Sequence, residues 1–135
     1  MRIVLYTNVL VSGLIGANAP PGRIVDLMRT GIVEAVFDDR IMSEYRDVLH
    51  RDYLQRYFSR GDIEDTIDYF EHNSHYVACD VVVVDLPNAG DIPFLEVALC
   101  EEVPLVTGNK KHYPNNKRRG CEVLNPREFL HAYFG

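Results

Sequence analysis

The sequence predicts an α/β fold, a mostly parallel sheet of four to five strands with helices on both faces. Short aliphatic runs alternate with stretches whose apolar residues recur at helical spacing. The runs Ile3-Val4-Leu5 and Val81-Val82-Val83-Val84 are unbroken, as in strands buried on both faces. No repeat, low-complexity tract or linker interrupts the 135 residues, so one domain over 1–135 is expected.

Ile3 to Leu5 reads as the first strand, after which Thr7 or Asn8 is placed to cap a short helix over Val9 to Leu14. Pro20-Pro21 opens a second helix with Ile24, Val25, Leu27 and Met28 on its apolar face, and Gly31 stands where it should stop. Glu34 to Phe37 follows as a strand. From Asp39, the residues Ile41, Tyr45, Val48 and Leu49 form a helical stripe from which Glu44 is displaced to one edge. Tyr53 to Phe58 is expected to add a short helix.

Gly61-Asp62 begins a helix that buries Ile63, Ile67 and Phe70, while Glu64, Asp65, Asp68 and Glu71 form a solvated side. Val77 to Val84 is expected to be a central strand leading to Asp85. Gly90-Asp91-Ile92-Pro93 starts a helix with proline in its first turn and Phe94, Leu95, Ala98 and Leu99 buried behind it. Pro104 to Val106 and Cys121 to Leu124 are the last strands, and Pro126 to Phe134 the last helix. In open parallel sheets the ligand crevice lies beyond the carboxyl ends of the strands. The exits Thr7-Asn8, Asp85 and Thr107-Gly108-Asn109 are therefore expected to converge.

Composition restricts the function classes. A formal net charge of −6 argues against coating nucleic acid by overall positive potential, though a metal-dependent nuclease would itself concentrate carboxylates. Cys79, Cys100 and Cys121 have no zinc or disulfide spacing and read as buried thiols. Of the five histidines only His72 and His75 are close in sequence, on one expected helix, and read as surface, so zinc is not expected. The chain has no run of eighteen apolar residues and no signal-peptide pattern, so a cytoplasmic protein without membrane contact is expected. No G-x-x-x-x-G-K-[ST] loop is present, which argues against a nucleotide-binding or phosphotransfer domain.

Four segments carry a resemblance. They are Ile3-Val4-Leu5-Tyr6-Thr7-Asn8-Val9-Leu10, Ser43-Glu44-Tyr45, Asp91-Ile92-Pro93-Phe94-Leu95-Glu96-Val97-Ala98, and Leu105-Val106-Thr107-Gly108-Asn109-Lys110-Lys111-His112-Tyr113-Pro114. In this order, and together with Pro126-Arg127-Glu128-Phe129-Leu130, they resemble the PIN-domain family, especially its VapC-like toxin branch. The resemblance implies a PIN-like fold and endoribonuclease activity that depends on Mg²⁺ or Mn²⁺. It also implies a cognate antitoxin protein as partner and a possible homodimer, for which Tyr53, Leu54, Tyr57 and Phe58 offer an apolar stretch that equally reads as core.

Carried onto this sequence, the resemblance puts the catalytic positions at Tyr6, Glu44, Asp91 and Asn109, with Glu44 and Asp91 as metal ligands. Asparagine is common at the last position in this branch. Tyr6, standing where an aspartate is expected, is the departure. A neutral phenol with an ordinary pKa near about 10 replaces a compact anion, and should weaken metal binding and crowd the site. A loss of activity on the order of a hundredfold or more is therefore expected. Asn8 and Thr107 are candidates for orienting water or phosphate behind these positions, although small polar residues at strand exits are also ordinary caps.

Lys110, Lys111, His112, Lys117, Arg118 and Arg119 form the one basic concentration, with Lys110 and Lys111 as candidate RNA contacts. Taken alone, Asp91 would be a helix N-terminal carboxylate and Glu44 a solvated helical residue. Asp85 and Glu96 read more readily as loop and surface residues than as parts of a site. Two functions thus stand side by side: a metal-dependent ribonuclease impaired by Tyr6, and a catalytically inactive PIN-fold module that binds RNA or protein.

Overall fold

The computed structural model describes residues 1–135. Five parallel strands, β1 (Arg2–Leu5), β2 (Glu34–Phe37), β3 (His75–Tyr76), β4 (Leu105–Val106) and β5 (Val123–Leu124), lie in the order β3-β2-β1-β4-β5. Consecutive strand residues point to opposite faces, and Ile3, Val4 and Leu5 are all fully buried, so both faces of the central strand are covered. The covering helices are α1 (Thr7–Ile15), α2 (Pro20–Arg29), α3 (Asp39–Leu49), α4 (Arg60–Asn73), α5 (Ile92–Glu101) and α6 (Pro126–Phe134). One contiguous core of 29 buried residues runs from Ile3 to Leu130.

The chain leaves β1 toward β2 and β3, then returns across the sheet to β4 and β5. The direction of winding therefore reverses between β1 and β4, which makes the ends of these two strands the topological switch point where a doubly wound sheet opens a crevice. Leu5 pairs with Val106, so Tyr6 and Thr107 leave the sheet side by side. The two exits touch: the Asn8 Oδ1 accepts the Gly108 N–H at 3.4 Å, and a Cβ on residue 108 would come within 2.9 Å of the Asn8 Nδ2.

Local chemistry explains most helix ends. Asp38 caps α3 through the Ile41 N–H at 3.0 Å, Ser59 with Asp62 forms a capping box on α4, and Asn125 with Glu128 forms another on α6. Helix α2 begins at its two prolines, and the positive φ of Gly31 lies just beyond its end. The solvated acidic side of α4 is as expected, with Glu64, Asp65, Asp68 and Glu71 all exposed.

Four expectations are corrected. The run Val81 to Val84 forms no strand: β3 ends at Tyr76, and Val82 and Val84 are 67% and 84% exposed. Its pairing is replaced by side-chain bonds, the Val83 N–H donating to the Glu96 Oε2 at 2.8 Å and Arg119 donating to the Val82 carbonyl at 2.7 Å. Tyr53 to Phe58 is not a helix; a single 3-10 turn, Asp52–Leu54, is all that forms. Neither Thr7 nor Asn8 caps α1, because the helix already starts at Thr7 and the hydroxyl of Thr7 is committed elsewhere. His75 belongs to β3, so His72 and His75 do not share a helix. The three thiols are half-buried. No helix is long and apolar enough to cross a membrane.

Candidate active site

Tyr6 follows the last residue of β1, so the sheet itself delivers its ring to the switch point. The ring packs against Phe94 of α5 at 5.0 Å between centroids, and edge-on to Tyr113 and His112 at 6.2 Å and 6.5 Å. Its hydroxyl donates to the Asp91 Oδ1 at 2.6 Å. Burial pushes the Tyr6 phenol up from its ordinary value, and the bond to Asp91 and the charges of Asp91 and Glu44 push it the same way. The phenol thus remains a neutral donor and supplies no anion.

Asp91 is 1% exposed at the start of α5, yet its side chain does not cap the helix. Its second oxygen, Oδ2, lies 3.2 Å from the His112 Nδ1. The ring N–H is not aligned on that oxygen, and neither atom has another partner, so this close approach is an ion-pair distance without a formed hydrogen bond. The backbone carbonyl of Asp91 accepts the Tyr113 hydroxyl at 2.9 Å, which anchors the loop after β4 to the start of α5.

Glu44 reaches the same place from α3. Its Oε2 accepts the hydroxyl of Thr7, and the neighbouring Tyr45 hydroxyl donates to the Leu5 carbonyl, fixing α3 against the end of β1. Tyr6, Thr7, Asn8, Glu44 and Asn109 all line one open cleft of about 480 Å³. Ser12, Arg51, Tyr53 and Asn88 line it as well. Of the expected catalytic positions, three face the cleft, and Asp91 lies behind Tyr6, joined to it by the hydroxyl. The buried Thr107 does not line the cleft; its hydroxyl accepts the Asn109 N–H at 3.1 Å and shapes the turn.

Most of the basic run is engaged within the fold. Lys110 pairs with Glu128 at 2.9 Å, Lys117 with Asp85, and Arg118 donates to the Tyr113 carbonyl at 2.7 Å. Lys111 is exposed, and neither it nor Lys110 lines the cleft. The apolar stretch after α3 splits: Leu54 is buried, Phe58 is half-buried, and Tyr53 and Tyr57 are exposed.

Sequence reasoning did not single out Arg51, Tyr53 or Asn88 as cleft residues, nor His112 as the neighbour of Asp91. It also missed Arg40, whose guanidinium bonds Asp38 through Nε and Nη2 at 2.9 Å and 2.8 Å and Glu96 through Nη1 at 2.6 Å. Glu96 is therefore a buried carboxylate holding α3, α5 and the segment at Val83 together, and not a surface residue. The Asp-Asp-Arg start of α3 was the available signal for the Asp38 cap; nothing in the sequence links Arg40 to Glu96.

A parallel sheet wound in this order, with polar side chains gathered at the ends of β1 and β4, defines a doubly wound α/β domain with an open polar cleft at its switch point. The PIN domain family model matches residues 2–111, and the chain belongs to that family. Among solved structures it is similar in fold to a chain of VapBC2 from Rickettsia felis, determined bound to a DNA fragment from their promoter. That match has a TM-score of 0.61 at 12% identity and covers 93% of this chain and 98% of the other. No curated protein sequence matches the chain.

PIN domains usually bind Mg²⁺ or Mn²⁺. A divalent ion of this kind wants several oxygen ligands, at least one or two of them carboxylates with open coordination sites. Here no group of three His, Cys, Asp or Glu side chains is gathered to hold an ion, and one oxygen of Asp91 is occupied by a phenol. The residues present do not fit a tightly held divalent cation.

Proposed function

We propose that this chain is a metal-dependent endoribonuclease of the PIN type in which Tyr6 fills the metal position, leaving RNA cleavage strongly reduced or absent. The observation that carries the reading is the Tyr6 hydroxyl on the Asp91 Oδ1 at 2.6 Å, a neutral donor occupying a carboxylate that the family resemblance assigns to metal. Glu44, Asp91 and Asn109 are the remaining site residues in this reading, with Asn8 and Thr107 supporting the turns around them. The fold shared with a chain of R. felis VapBC2 supports membership of a toxin–antitoxin pair, with a cognate antitoxin protein as partner.

The same hydrogen bond also favours a second reading, a PIN-fold RNA-binding module without catalysis, because a site sealed in this way needs no metal to be stable. One comparison separates the two. The parent chain and Tyr6→Asp are each assayed for RNA cleavage with Mn²⁺ or Mg²⁺, and for the shift in melting temperature that the ion produces. An ion that binds the folded state raises Tm according to its concentration and Kd. In the nuclease reading, Tyr6→Asp gains both cleavage and an Mn²⁺-dependent rise in Tm while the parent shows little of either. If Tyr6→Asp binds Mn²⁺ and cleaves none of a varied RNA panel, the binding module is the better description.

A further inference from the structure

Arg51 and Tyr53 line the cleft together with Tyr6, Glu44 and Asn109, and the Tyr53 hydroxyl makes no hydrogen bond within the fold. Tyr53 is 63% exposed, while the next residue, Leu54, is buried in the core. The 3-10 turn Asp52–Leu54 is thus pinned by Leu54 and presents the ring of Tyr53 outward from a fixed backbone. Arg51 reaches only Asp47, at 3.8 Å, and both side chains are more than half exposed, so that pair contributes little and leaves the guanidinium free. The remaining lining is largely neutral and polar, including the carboxamides of Asn8, Asn88 and Asn109 and the hydroxyl of Ser12.

An exposed aromatic face beside a free guanidinium is how proteins hold an unpaired base and its phosphate, and amides are suited to the edges of that base. A cleft of about 480 Å³ falls within the range of small-molecule sites and has room for a nucleotide. With a net charge of −6, the surface as a whole repels a polyanion, so affinity must come from a few local contacts. Bases in a duplex are stacked on one another and cannot lie on Tyr53, which selects single strands.

We infer that the cleft binds one unpaired nucleotide of single-stranded RNA, its base stacked on Tyr53 and its phosphate on Arg51. This assignment rests on the RNA-directed reading of the site and adds the contacts that orient the strand past Glu44. It puts the phosphate contact on Arg51, which lines the cleft, and not on Lys110, which pairs with Glu128 outside it, and makes Tyr53 part of the binding surface instead of a dimer patch.

Binding of a short, unstructured, labelled RNA to the full chain is measured by fluorescence anisotropy, alongside a hairpin duplex of matched composition. Tyr53→Ala should weaken single-strand binding roughly ten- to a hundredfold, Tyr53→Phe should keep it within about twofold, and Tyr57→Ala, an exposed tyrosine outside the cleft, should leave it unchanged. Arg51→Ala should weaken binding and reduce the dependence on log salt by about one. Single-strand binding that is indifferent to Tyr53→Ala overturns this inference and leaves the RNA-directed reading standing. Absence of RNA binding by the parent chain overturns both. In a Tyr6→Asp background that cleaves RNA, an unchanged KM on adding Tyr53→Ala overturns the inference alone.

Discussion

The Tyr6 hydroxyl donates to the Asp91 carboxylate at 2.6 Å, across 85 residues of sequence, and this one bond turns two strand and helix ends into a closed contact. The ring is held by Phe94 and Tyr113, so the donor is fixed in place, and Asp91 is too deeply buried to find water instead. A buried carboxylate must have a partner. In this chain the partner is a side chain.

Tyr6→Phe keeps the ring and its packing but removes the donor. A hydrogen bond to a charged group contributes about 1.5–3 kcal/mol, so the variant should lose about that much stability in urea denaturation with an unchanged m value. Stability equal to the parent would mean that Asp91 is satisfied by another group, and that Tyr6 is filler and no lock.

Arg40→Ala leaves the buried carboxylates of Asp38 and Glu96 without their shared cation. Breaking a fully buried pair costs about 3–5 kcal/mol, and because the Arg40 side chain is 47% exposed the expected loss here is nearer to about 2 kcal/mol. Arg40→Lys should rescue only part of it, since one ammonium cannot reproduce a fork that bonds both acids. Denaturant midpoints of the two variants decide the matter; full rescue by lysine would show that charge alone suffices.

Gly22 marks a close approach between α2 and the loop after α1. A Cβ there would stand 2.2 Å from the Gly16 carbonyl oxygen and 2.6 Å from the backbone of Ala17, and backbone cannot move aside as a side chain would. Gly22→Ala should destabilise by about 1–3 kcal/mol, at the upper end of that range, despite the better helix propensity of alanine. Gly61→Ala is the control, because in α4 an added Cβ meets only the Ser59 side chain at 3.8 Å. A thermal melt comparing the two should lower Tm for the first alone.

Burial pushes the phenols of Tyr6, Tyr45 and Tyr113 up. A raised folded-state value means that their contribution to stability is complete below the ordinary phenol pKa of about 10 and is lost as pH rises beyond it, because the unfolded chain ionises first. Tyrosinate absorbance and circular dichroism followed together should therefore show part of the absorbance of the eight tyrosines appearing only as the fold is lost. Complete ionisation with the dichroism intact would contradict this burial.

The alternation of strands and helices was legible because each element carries its own signal: the aliphatic runs of β1 and β2, the prolines of α2, α5 and α6, and the helical stripes of α3 and α4 are local patterns. Val81 to Val84 shows where local pattern misleads. Its composition is that of a strand, but the segment is held through Glu96 and Arg119, which lie in other elements, and no neighbouring strand is positioned to pair with it.

Residue types and their order along the chain determined the α/β class, the placement of polar residues at strand ends and the presence of a tyrosine at position 6. What only the tertiary structure decided is which of these side chains meet: that Tyr6 bonds Asp91, that Thr7 holds Glu44, and that Arg51 and Tyr53 join the cleft. Propensity and periodicity are properties of neighbours in sequence, whereas these contacts depend on the order in which strands lie in the sheet. That order is fixed by burial of the whole core at once.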